Sequence, residues 1–110
     1  VKVYGVEPES SPLISKGESG AHKIQGIGAN FVPKNFESEY CDDIKTISDE
    51  DAFLYAQALA KKEGFLVGIS SGAALGVAIE LAKLDENKDK LIVVILPDTG
   101  ERYLSTELFD

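Results

Sequence analysis

Two adjacent hydroxyl side chains, Ser70 and Ser71, lie between the apolar run 65–67 and a segment with the apolar spacing of a helix. A serine at the start of a helix can accept a hydrogen bond from one of the backbone N–H groups that the first turn leaves unpaired. The small residues at 72–74 leave room for a ligand at a helix N-terminus, where the helix dipole favours hydrogen-bond acceptors. The stretch alone fits either a plain helix cap or a ligand contact.

The elements that position these serines are predicted to form an α/β fold. Runs rich in β-branched residues alternate with helical segments, and such alternation predicts a parallel sheet with covering helices. The predicted strands are 1–6, 42–48, 65–69 and 91–97, and the predicted helices run from a Ser48 cap to Gly64 and from Ser71 to Leu84. Ligands of such sheets bind at the carboxyl ends of the strands, where both the serine pair and the motif "PDTGE" are expected.

The organisation of the chain indicates part of a larger protein. The 110 residues fill a single core, and the sequence opens on a strand without an initiator methionine. We therefore expect residues 1–110 to form a single partial domain. Residues 7–39 show no strong periodicity, and a segment of this length in a small domain is commonly functional.

Composition excludes several classes of function. The net charge of −8 makes nucleic acid and anionic membranes poor partners. One cysteine, Cys41, rules out an internal disulfide framework and suits a reducing compartment, so we expect a cytoplasmic protein. A metal site and a hydrolytic triad are disfavoured because the only histidine, His22, stands alone and is predicted to be solvated. Cys41 is expected to have no chemical role, because the acidic residues next to it in the sequence disfavour the reactive thiolate form.

Three stretches occur in a specific order: "HKIQGIGANFVP" at 22–33, "GISSGAA" at 68–74 and "LPDTGERYLST" at 96–106. Together they resemble the C-terminal part of cysteine synthase, the O-acetylserine sulfhydrylase group of fold-type II pyridoxal phosphate enzymes. The resemblance extends from about Val6 to Phe109, almost the whole chain.

The resemblance implies a site that binds pyridoxal 5′-phosphate. Ser70 is expected to hydrogen-bond the pyridine nitrogen, while Ser71 begins the following helix. Asp98 and Thr99 are expected beside the ring, although helix capping of the segment "GERYLS" explains Asp98 equally well. Glu101 and Arg102 are interpreted as structural. The substrate side is expected to be the loop formed by Gln25, Gly26, Ile27, Gly28 and Ala29.

The implied function is β-replacement, which converts O-acetylserine and sulfide into L-cysteine. The resemblance also implies a homodimer and a serine acetyltransferase partner for the complete enzyme. No catalytic residue is assigned in this chain, because the family's Schiff-base lysine belongs to the preceding part of the enzyme. Two alternatives stay open: another fold-type II lyase, of the cystathionine β-synthase or serine/threonine dehydratase type, and a non-catalytic fragment that only binds a partner.

Overall fold

A computed structural model describes residues 1–101 of the chain. Two parallel strands, β1 (Tyr4–Pro8) and β2 (Asp43–Ile47), pair in register from Tyr4 opposite Asp43 to Pro8 opposite Ile47. Helices lie beside this sheet, so the predicted α/β class with a parallel sheet is confirmed. The strand expected at 1–6 begins at Tyr4 and continues to Pro8.

Three α-helices and two short 3-10 turns complete the described elements. The α-helices are α1 (Leu13–Lys16), α2 (Asp49–Glu63) and α3 (Ile69–Ala82), and the 3-10 turns are Ser38–Tyr40 and Asp85–Asn87. Residues 17–37 are irregular, in agreement with the absence of periodicity there. No helix within residues 1–101 combines the length and the apolar character needed to cross a membrane.

Helix α2 begins and ends where the sequence predicts. Ser48 Oγ accepts a hydrogen bond from the Asp51 backbone N–H at 3.1 Å, and Gly64 ends the helix with a left-handed φ of 75°. Local signals suffice here because a side-chain cap and a positive-φ glycine act within one turn of the helix end. Ala52 and Ala56 are fully buried on the inner face of α2.

Helix α3 begins earlier than predicted, and its cap is a different residue. The N-cap is Gly68, with no side-chain cap hydrogen bond, and the helix already includes Ile69, Ser70 and Ser71. The prediction that Ser71 caps this helix is therefore wrong. The hydroxyls of Ser70 and Ser71 do not cap α3, because both serines follow the N-cap residue and have helical backbone geometry.

The small residues at the start of α3 serve helix packing. A Cβ added at Gly72 would overlap the Ala52 carbonyl oxygen and the Ala56 nitrogen of α2. Gly72 thus lets the two helix backbones approach closely. The interpretation that Gly72 clears space for a ligand is replaced by this contact.

The two segments predicted as fully buried strands, 65–69 and 91–97, are not strands. Val67, in the first segment, forms an isolated antiparallel bridge with Thr99, which follows the second segment. Segment 91–97 lies across a crevice of about 830 Å³ from β1, and alternate side chains are exposed: Leu91 91%, Val93 76% and Ile95 73%. A continuous apolar run predicts a fully buried strand, but a strand also requires a hydrogen-bonding neighbour, which the pattern cannot specify.

Candidate functional site

The two serines at the start of α3 have different surroundings. Ser71 is completely buried, and its Oγ donates to the Asp98 carbonyl oxygen at 3.3 Å. Ser70 is 8% exposed, and within residues 1–101 its Oγ has no hydrogen-bond partner. One hydroxyl therefore joins two segments of the chain, and the other is available to a bound group.

Residues 98–100 are held beside the α3 N-terminus by backbone hydrogen bonds. The Gly68 N–H donates to the Asp98 carbonyl at 3.3 Å, and the Gly100 N–H donates to the Leu66 carbonyl at 2.9 Å. Asp98 is half-buried there and Thr99 is exposed. The structure thus brings the "GISSG" and "PDTGE" motifs together through an antiparallel contact rather than through adjacent parallel strands.

The glycine loop, residues 25–29, lies against Ser70. Gly26 has a left-handed φ of 98°, and a Cβ added to it would be 3.7 Å from Ser70 Oγ. Gln25, Gly26 and Ala29 are exposed, whereas Ile27 packs against the core beside the fully buried Ile24. A side chain at Gly26 would start next to the Ser70 hydroxyl, so the glycine keeps that position clear of side-chain atoms.

His22 is not the solvated side chain that the sequence predicts. The half-buried ring contacts the chain through both nitrogens: the Ile24 N–H donates to Nδ1 at 3.1 Å, and Nε2 lies 2.9 Å from the Gly28 carbonyl oxygen. The polar sequence neighbours of His22 do not reveal this role, because it depends on backbone groups two and six residues away. A glycine six residues after a histidine, in a loop with two closely spaced glycines, was the available signal.

The α3 N-terminus carries the partial positive charge of the helix dipole. The first turn of α3 contains no acidic residue, so its unpaired N–H groups keep the full partial charge of the helix dipole. No cluster of His, Cys, Asp or Glu within residues 1–101 has the arrangement of a metal site. Cys41 Sγ donates to the Asp43 carbonyl at 3.2 Å, away from the serines. The interpretations of Arg102 and of a helix in "GERYLS" concern residues outside the described part.

These features define an α/β fold with a serine hydroxyl and a glycine loop at a helix N-terminus. The family model described as "Pyridoxal-phosphate dependent enzyme" matches residues 1–98, so the chain belongs to that family.

Three relatives show what the chain is similar to. Cysteine synthase B of Campylobacter jejuni is 56% identical over 99% of this chain and 36% of its own length. A crystal structure of cysteine synthase from Entamoeba histolytica matches with a TM-score of 0.97 and 44% identity, over 99% of this chain and 32% of that chain. The O-acetylserine dependent cystathionine β-synthase of Helicobacter pylori matches with a TM-score of 0.86 and 46% identity, over 100% of this chain and 35% of that chain. The chain therefore spans about a third of the length of these relatives.

The residues at the α3 N-terminus fit the pyridoxal phosphate that the family requires. The cofactor ring presents one nitrogen that accepts a hydrogen bond from a neutral donor. Ser70 Oγ is such a donor, it has no competing partner within residues 1–101, and the glycine beside it brings no side chain into the adjoining space. This fit concerns the edge of the cofactor ring that carries the nitrogen.

Proposed function

We propose that the complete protein is a pyridoxal phosphate-dependent cysteine synthase that makes L-cysteine from O-acetylserine and sulfide. The observation that carries this proposal is the unpartnered Ser70 hydroxyl beside Gly26, at the start of a helix without acidic residues in its first turn. Cysteine synthases among the relatives, at 54–56% identity, support the choice of substrates.

Ser70 is proposed to donate its hydroxyl hydrogen to the pyridine nitrogen. A neutral hydroxyl and the positive end of a helix dipole both disfavour a proton on that nitrogen. When bound, pyridoxal phosphate supplies an electron sink for the substrate α-carbon. Ser70 keeps this sink mild, which suits a reaction in which the departure of acetate, rather than storage of charge in the ring, completes the elimination.

The other proposed site residues surround Ser70. Asp98 and Thr99 are proposed to form the wall beside the ring, because backbone hydrogen bonds hold this segment at the α3 N-terminus. Gln25, Gly26, Ile27, Gly28 and Ala29 are proposed to line the substrate side, as part of the irregular region 7–39. The exposed backbone of this loop can donate and accept hydrogen bonds to a small amino-acid substrate, and it can exclude water when the loop closes.

The partners and the location of the complete protein follow from the same resemblance. We propose a homodimer in the cytoplasm, and serine acetyltransferase as a partner whose C-terminal tail contacts the glycine loop. A synthetic peptide that ends in isoleucine is expected to compete with O-acetylserine for the complete enzyme. Absence of competition would remove this partner and leave the proposed reaction unaffected.

The proposed reaction is tested with the complete purified protein supplied with pyridoxal phosphate and O-acetylserine. We expect cysteine to form with sulfide at a higher kcat/KM than cystathionine forms with homocysteine. Faster cystathionine formation would favour the class of the Helicobacter pylori relative, and serine or threonine deamination would favour a dehydratase. No turnover by a protein that binds the cofactor would contradict the proposal.

A further inference from the structure

His22 has a defined tautomer because its partners are backbone groups. The Ile24 N–H can only donate, so Nδ1 must accept and must carry no proton. The Gly28 carbonyl can only accept, so the Nε2–H donates to it over 2.9 Å. The imidazole is therefore neutral in this arrangement, with its proton on Nε2.

The two hydrogen bonds close residues 22–28 into a compact loop. The His22 side chain joins the backbone of Ile24 to that of Gly28, and the residues between them form the tip of the glycine loop. The closure is tight: a Cβ at Gly28 would overlap His22 Nε2 and Pro8 Cγ, and Gly28 has a φ of 63°. Glycine is thus required at position 28 both by the backbone conformation and by the contact with the His22 imidazole.

One side of this closed loop of residues 22–28 is fixed to the rest of the fold. Ile24 is completely buried in the core, and the Lys23 N–H donates to Asp49 Oδ2 at the start of α2, over 3.1 Å. The opposite side, at Gly28, is joined to this base through His22. Gly26, at the tip, is the residue that lies against Ser70.

We propose that His22 is a positioning residue that holds the glycine loop against Ser70 and thereby sets the substrate side of the site. The proposal rests on the proposed function for its substrate. The hydrogen bonds of His22 within residues 1–101 go to the loop backbone and not to Ser70, so it acts through the loop. The bond to the Gly28 carbonyl is the one that determines loop position, and the bond to Ile24 orients the ring.

The test separates the two bonds with variants of the complete enzyme. His22→Gln retains an amide N–H at a reach comparable to that of Nε2, whereas His22→Asn retains an acceptor near the Nδ1 position. His22→Ala removes both, and the exposed Glu18→Gln in the same irregular region is the matched control. We measure kcat and KM for O-acetylserine together with the visible absorbance of the bound cofactor.

Loss of one neutral hydrogen bond corresponds to a change of roughly two- to tenfold. We expect His22→Ala to raise KM about three- to tenfold, with kcat and the cofactor absorbance close to those of the parent. His22→Gln is expected to recover KM to within about twofold, more completely than His22→Asn. An unchanged KM in His22→Ala, or a better recovery with Asn than with Gln, would overturn the proposal.

A second measurement does not depend on activity. In the complete protein labelled with 15N-histidine, the His22 signals are assigned by their loss in His22→Gln. We expect the neutral tautomer with the proton on Nε2. A proton on Nδ1 would overturn the proposal even if the variants failed to fold. If the parent enzyme made no cysteine, the proposed function would fail, and the tautomer would still decide whether His22 holds the loop.

Discussion

Replacement of Ser70 by alanine in the complete enzyme removes the hydroxyl proposed to meet the pyridine nitrogen. No protein group within residues 1–101 bonds this hydroxyl, so the change leaves no protein donor or acceptor unsatisfied. The loss is then that of one neutral hydrogen bond, about 1 kcal/mol, which corresponds to a rate reduction of less than about tenfold. The assay is the initial rate of cysteine formation, with the cofactor absorbance recorded in the same samples.

Ser70→Asp is expected to be more harmful than Ser70→Ala. A carboxylate in the first turn of α3 is kept ionised by the helix dipole, and it favours a proton on the ring nitrogen. The expected result is a rate below that of Ser70→Ala and a changed cofactor absorbance.

Ser71 provides the matched control for Ser70. Its Oγ bonds the Asp98 carbonyl, which also accepts from the Gly68 N–H, so Ser71→Ala leaves that carbonyl with a partner. The higher helix propensity of alanine offsets part of the loss, and we expect the unfolding free energy to change by less than about 1 kcal/mol with the cofactor absorbance unchanged. The reasoning is refuted if Ser70→Asp matches the parent in rate while Ser71→Asp loses activity and alters the absorbance.

Three further predictions concern stability, each measured by urea unfolding of the complete protein. Ser48→Ala is expected to destabilise by about 1 kcal/mol through the lost cap of α2, and no change would contradict the capping role. Gly72→Ala is expected to destabilise by about 1–3 kcal/mol because its Cβ meets backbone atoms of α2, whereas Gly76→Ala meets only side chains and is expected to cost less; the reverse order would be inconsistent with this packing. The pKa of Asp43 is held below its ordinary value of 3.8 by hydrogen bonds from Lys45 and the Ile44 N–H, so its stabilising effect is present above that pH and is lost as pH falls. Asp43→Asn is therefore expected to flatten the decline in stability below about pH 4, slightly because the group is exposed, and an unchanged decline would exclude this contribution.

Local sequence signals predicted the elements whose ends are decided within one turn. Ser48 and Gly64 bound α2 because a side-chain cap and a left-handed glycine depend on neighbouring residues alone. The start of α3 could not be predicted in this way, since glycine and serine are both accepted at an N-cap and three such residues, Gly68, Ser70 and Ser71, occur within four positions. The Ser71 hydroxyl donates to the carbonyl oxygen of Asp98, which is 27 positions away in the sequence.

The wrong predictions concern residues whose structure depends on partners that the local sequence pattern does not identify. Residues 91–97 have the composition of a buried strand, but strand formation requires a neighbour that the pattern does not name. His22 was judged by its polar sequence neighbours, although backbone groups two and six residues away engage its ring. The sequence predicted that the motifs "GISSG" and "PDTGE" meet at the α3 N-terminus, but it did not predict their antiparallel contact.

The most direct test of the central claim is a crystal structure of the complete protein with pyridoxal phosphate bound. The distance that decides is the one between Ser70 Oγ and the pyridine nitrogen. We expect a hydrogen bond of about 2.7–3.2 Å, with the glycine loop on the substrate side of the ring. A pyridine nitrogen that faces the Asp98 carboxylate, or one bonded by Ser71, would contradict the account.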